Sequence, residues 1–159
     1  KISKKKIFID NARRYLGIGY NFGGRLTTTN PKLDCLGLIF LAYENTFKTK
    51  WKNFSVNPSE IVKNKQLGGA VKGLDGILSK DVELSKLEEG DIIYLLTRNS
   101  INDKPLAKIN GVEYWPWHVG IYSDKENNLF LEAHPVIGVV EHNFENVLKY
   151  NEAIFVTRW

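Results

Sequence analysis

The chain has a single cysteine, Cys35, among 159 residues, so no intramolecular disulfide can form and any staple must come from packing. One unpaired thiol leaves the compartment open, because a reactive cysteine serves in the cytosol or outside it. No apolar run approaches the roughly 18 residues that a membrane-spanning helix needs. No nucleic-acid-binding motif or aromatic-basic stacking pattern is present, which sets nucleic acid aside. Compact Cys/His ligand pairs are also missing, so a zinc site built from Cys35, His118 and His134 is not expected, and no cofactor is. Internal repeats, low-complexity segments and linkers are absent, and the length suits one domain over residues 1–159. The chain begins without Met and shows no signal peptide, which leaves open a leader removed ahead of residue 1.

What is present is an ordinary globular composition, 43% hydrophobic and 25% charged, with a raised aromatic share. The net charge is +4, part of it from Lys1, Lys4, Lys5 and Lys6. Such an end is a solvated terminus, or a means of favouring an anionic polymer or membrane surface.

The thiol sits in Leu33-Asp34-Cys35-Leu36-Gly37-Leu38. Asp34 is a good N-cap, and the apolar run Leu36 to Tyr43 reads as a buried helix. Cys35 then occupies the first turn, where unpaired amides and the helix dipole favour a thiolate. Gly37 costs about 1 kcal/mol of helix propensity, which points to a backbone or ring passing close to the helix. A lone cysteine is more often a small buried hydrophobe, but that role needs neither an acidic cap nor a nearby glycine.

Ahead of this helix, Lys5 to Leu16 predicts an amphipathic helix with Phe8, Ala12, Tyr15 and Leu16 on one face. Asn57-Pro58-Ser59-Glu60 predicts another, with a cap, a proline and a capping-box glutamate, ended by Gly68-Gly69. The stretch Ala70 to Lys86 has no clear pattern. From Gly90 the period becomes extended, with strands over 91–96, 118–122, 129–133, 136–141 and 153–157. Helices first and strands afterwards indicate an α+β fold with an antiparallel sheet. Alternation puts His118, Gly120 and Tyr122 on one strand face, and Gly120 is expected to make room for the Cys35 helix. The segment from Thr97 to Trp117 exceeds a hairpin turn and suggests a functional loop or lid. A thiol, an imidazole to take its proton and a polar group to orient the imidazole form a nucleophilic triad. Tyr114, Trp115 and Trp117, clustered before His118, suit a substrate wall. His142 is read as structural.

These residues resemble the NlpC-type cysteine peptidases, the papain-like cell-wall endopeptidases of bacteria. The resemblance runs through Ala12 to Gly17, Gly19 to Gly24, Asp34 to Leu38, Leu87 to Ile93, His118 to Tyr122 and the segment around His134. It implies a papain-like fold, N-terminal helices packed on a C-terminal antiparallel sheet. It also implies Cys35 as nucleophile, His118 as general base, His134 as orienting third residue and Tyr20 as a substrate or oxyanion contact. Cysteine ahead of histidine argues against the circularly permuted relatives. Family members mostly cut between D-glutamate and the diamino acid of peptidoglycan stem peptides; some relatives are amidases, toxins or phage-tail proteins. Leu36 stands where the family commonly has serine, which removes a hydroxyl used to bind a free amino end. Asp34 keeps two readings, as cap and as amine ligand. The resemblance therefore implies a peptidoglycan partner and an exported bacterial protein, with a cytoplasmic one not excluded. Two other readings stay open: an effector or toxin acting as amidase, deamidase or acyltransferase on another substrate, and a catalytically silent binding module.

Overall fold

A computed structural model describes residues 3–159, with only the backbone of Trp51. Lys1, one of the four terminal lysines, lies outside the described residues. Helices α1 (Lys4–Arg13), α2 (Cys35–Phe47) and α3 (Pro58–Lys63) precede the whole sheet. The strands are β1 (Gly69–Leu78), β2 (Ile92–Thr97), β3 (Ala107–Ile109), β4 (Val112–Asp124), β5 (Leu129–His134), β6 (Gly138–Asn143) and β7 (Ala153–Arg158), with α4 (Phe144–Lys149) between the last two. They run in the order β1-β7-β2-β4-β5-β6, with β3 beside β4, and every pairing between strands is antiparallel. The fold is α+β.

Strand β2 explains how the layers are held. Ile92, Tyr94 and Leu96 belong to the core under α1 and α2, while Ile93 and Leu95 join Phe130, Phe144 and Val147 on the opposite side. A strand covered on both faces reads as an unbroken apolar run, because neither set of alternate positions meets water. Phe8, Leu38, Ile39 and Phe40 of the helices pack on Val119, Ile121, Leu131 and Ala133 of β4 and β5. This layer places the amino end of α2 over the strand that carries His118.

Three expectations change. Gly120 makes room for Phe130 and not for α2: a Cβ there would lie 2.3 Å from that ring. The unpatterned stretch after Ala70 is largely β1, which pairs with β7 through two irregularities. The segment from Thr97 to Trp117 is not a free loop, since β3 and β4 close a hairpin in which Ile109 faces Val112. Asn110 and Gly111 both have positive φ, 51° and 80°, as a two-residue hairpin turn of this hand requires. The loop before the hairpin is fixed to α3, whose Ser59 donates its amide to Asp103 at 3.2 Å and its hydroxyl to Lys104 at 2.6 Å. Asp103 thus serves the α3 terminus, where the Asn57 side chain makes no capping bond.

Candidate active site

Asp34 builds the platform under the Cys35 thiol. Its Oδ1 accepts the Gly37 amide at 2.7 Å, the N-cap bond, and the Arg25 guanidinium at 2.5 Å; its Oδ2 accepts the Gly23 amide at 2.9 Å. One buried carboxylate therefore starts α2 and ties it to the loop that precedes it. Both oxygens are engaged within the fold, Oδ1 by two donors and Oδ2 by one, so the cap is the role the contacts show. Gly37 allows the loop to come this close: a Cβ there would lie 2.2 Å from the Gly24 carbonyl oxygen. Leu36, the other neighbour of the thiol, is buried in the core.

Cys35 is half-buried at the head of α2. His118 is 2% exposed and interacts with the Cys35 thiol on one side and the Glu132 carboxylate on the other. Its Nε2 lies 2.7 Å from Glu132 Oε1, which leaves Nδ1 for the thiol. Burial works against the imidazolium, yet the hydrogen bonds and charges of Cys35 and Glu132 outweigh it and push the pKa up to about 9. Glu132 is likewise buried. Burial alone would raise its pKa, but His118 and His142 together hold it below the ordinary carboxylate value. His142 donates or shares its Nε2 with the second oxygen, Oε2.

The contact to His118 expected of His134 is made by Glu132 instead. Among the described residues no hydrogen bond links His134 to His118. His134 instead accepts the amides of Val136 and Ile137 on its Nδ1, at 3.0 and 3.3 Å, and so fixes the β5–β6 turn. The physical reason lies in reach and in the chemistry of burial. A buried imidazolium needs an anion, and Glu132 offers one from the neighbouring strand, whereas His134 has its acceptor nitrogen occupied. A signal for Glu132 exists in the sequence: a carboxylate in the middle of Leu129-Phe130-Leu131-Glu132-Ala133 must be paired once the strand is buried.

Two aromatic residues complete the surroundings. Tyr20 is joined by a backbone bridge to Leu33, and its pKa is pushed up to about 12 by burial first and then by Cys35 and Asp34. It therefore remains a neutral phenol able to donate a hydrogen bond. Trp117 stacks on His118, with ring centres 5.0 Å apart and planes inclined by 27°, while its Nε1 donates to Asn151 at 3.0 Å. A register shift in the β2–β4 pairing falls between Leu95 opposite His118 and Leu96 opposite Pro116, and it lets the two adjacent rings share one side. Beyond Glu132 lies a cavity of about 370 Å³ bordered by Trp117, His134, His142, Val147 and Tyr150. No group of three or more His, Cys, Asp or Glu side chains among the described residues is arranged to hold a metal ion. No helix among them is long and apolar enough to cross a membrane.

With this geometry in view, the solved structures that resemble the chain are informative about its fold. An N-acetylmuramoyl-L-alanine amidase from Bacteroides uniformis superimposes with a TM-score of 0.70 at 14% identity, over 98% of each chain. A protein from Staphylococcus aureus, described as similar to lipoprotein and of the NLP/P60 family, superimposes with a TM-score of 0.55 at 18% identity. The chain has the NlpC-type fold. The match covers 98% of this chain but only 42% of the staphylococcal protein. No family model matches the sequence, and no curated protein does.

Proposed function

We propose that this chain is a cysteine-nucleophile hydrolase of amide bonds in peptidoglycan stem peptides, acting through Cys35, His118 and Glu132. The observation that carries the reading is the buried His118 ring, held between a thiol at a helix amino end and a buried carboxylate. Such an arrangement stabilises a thiolate–imidazolium pair, the reactive form of a cysteine nucleophile.

In the first half-reaction the thiolate attacks the amide carbonyl. The amide of Cys35, at the positive end of α2, is the natural donor to the developing oxyanion, and the neutral Tyr20 hydroxyl is a second. His118 gives its proton to the leaving amine, with Glu132 holding the ring in line. Water then enters, His118 takes its proton, and the thioester is cleaved to acid and free thiol. Trp117 covers one side of the ring and limits access of bulk water to the His118–Glu132 bond.

The bond between D-glutamate and the diamino acid is the leading target. A second reading, the amide between muramic acid and L-alanine, is favoured by one observation. Asp34 is buried and already accepts three hydrogen bonds within the fold, and Leu36 is an apolar core residue, so the residues beside the thiol are poorly disposed to take a free amino end. A substrate whose stem peptide is still attached to sugar has no such amino end to bind. A wall substrate would place the working protein outside the cytoplasmic membrane of a bacterium. Both readings are tested by incubating purified muropeptides with wild type and with Cys35→Ala and weighing the fragments. Cleavage by wild type alone is expected, and the masses name the bond. Intact muropeptides, with Cys35 still quick to alkylate, would move the activity to an acyl substrate outside the wall.

A further inference from the structure

Two of the three histidines converge on one buried carboxylate, and the mechanism uses only one of them. His142 lies on β6 opposite Phe130 of β5, diagonal to Glu132, and its Nε2 meets Glu132 Oε2. Its side chain is 37% exposed and that of Glu132 only 4%, so the pair joins the interior of the site to the cavity behind it. We propose that His142 is a positioning residue: it fixes the Glu132 carboxylate so that Oε1 points at His118. The unit that acts is then Cys35–His118–Glu132–His142, four residues on α2, β4, β5 and β6. This deepens the cysteine-hydrolase reading and rests on it.

The argument is one of rotational freedom and of charge. The last torsion of a glutamate is broad, so a single hydrogen bond to Oε1 does not hold the carboxylate plane. The cavity beside Glu132 leaves it room to turn or to meet water. A second donor on Oε2 removes that freedom. It also keeps the buried group ionised, because a carboxylate with one partner in such surroundings takes up a proton more readily than one with two. The titratable groups around Glu132 are His118 from β4, His142 from β6, His134 on its own strand and Tyr150 across the cavity, with Cys35 reached through His118. The α4 residues on the cavity wall, Asn146 and Val147, carry no charge.

The test uses the intact protein and needs no substrate. Cys35 is alkylated with iodoacetamide across pH 4 to 10 in wild type, His142→Ala and His142→Gln, and the rate is read by intact mass. In His142→Ala the acid edge of the profile should move up by about one pH unit or more, as Glu132 loses a donor that favours its charged form. His142→Gln, which restores an N–H donor, should return the edge toward wild type. Where muropeptides are cut, kcat for His142→Ala should fall by about ten- to a hundredfold, the worth of one hydrogen bond to a charged group, with KM little changed. Thermal unfolding checks that both variants fold; should His142→Ala fail to, His142→Asn replaces it as the non-reaching variant. An unmoved acid edge with kcat retained would overturn the proposal and leave the hydrolase reading intact. A shifted edge in a protein that cuts no muropeptide would support the proposal and remove the wall substrate instead.

Discussion

Glu132→Gln is the substitution that bears hardest on the site. It keeps the shape of the side chain and removes the charge that faces His118 at 2.7 Å. Both partners are nearly inaccessible, with side chains 2% and 4% exposed, so solvent does not screen the loss. A hydrogen bond to a charged group is worth about 1.5–3 kcal/mol, and at 1.36 kcal/mol per unit this is a drop of about one to two units in the His118 pKa. The amide adds a second penalty, because two imidazole N–H groups face the carboxylate and a glutamine can present an acceptor to only one. The sign follows from the direction of the shift. A His118 pKa raised to about 9 stabilises the fold fully below the ordinary histidine value and loses that contribution as pH rises through about 9. The wild-type imidazolium should therefore persist to about pH 9, and alkylation of Cys35 by anionic iodoacetate, which that positive charge favours, should slow above it although the thiolate itself remains. In Glu132→Gln this alkaline edge should move to about pH 7–8. Because Cys35 is the only thiol, each iodoacetate adduct measured by intact mass reports this site alone. An edge still near 9 in the variant, with muropeptide turnover unchanged, would refute the assignment of Glu132 as the group that holds His118.

Three further outcomes follow from contacts already described. Tyr20→Phe should lower turnover by up to about a hundredfold, the worth of an oxyanion donor, while leaving the rate of Cys35 alkylation as in wild type; a parallel fall in both would deny Tyr20 that role. Asp34→Ala removes the cap of α2 and the buried partner of Arg25, and breaking such a pair costs about 3–5 kcal/mol, which urea unfolding would register as a lower midpoint. Gly37→Ala sets a gain of about 1 kcal/mol in helix propensity against a Cβ placed 2.2 Å from the Gly24 carbonyl oxygen. Overpacking costs about 1–3 kcal/mol, and a backbone atom cannot swing aside, so a lower melting temperature and slower alkylation are expected, and a more stable variant would show that the loop yields.

Features set by local chemistry are legible in the sequence, and those set by partners across the sheet are not. The Asp34 cap, the start of α2 at Cys35 and the need for Gly37 each follow from a few adjacent residues, and the structure shows the passing backbone that Gly37 admits. The change from helical to extended patterning near Gly90 likewise locates β2, β4, β5, β6 and β7. Strand β1 was hidden because its alternate residues are mostly exposed or half-exposed and Gly73 and Gly76 interrupt the pattern, so its place depends on β7. The hairpin of β3 and β4 carries the strongest short turn signal in the chain, Asn110-Gly111, masked by a segment long enough to look like a lid. The third residue of the site shows the limit most clearly. Resemblance pointed to the histidine at the end of β5, whereas electrostatics points two residues back. Glu132 shares a strand with Phe130, Leu131 and Ala133, all buried, and an anion in such a place must find cations or donors. The chain has three histidines, and two of them lie on the adjacent strands at Glu132. What pattern alone cannot supply is the register that brings β4 and β6 to either side of β5. Once that register is known, the buried charge selects its own partners.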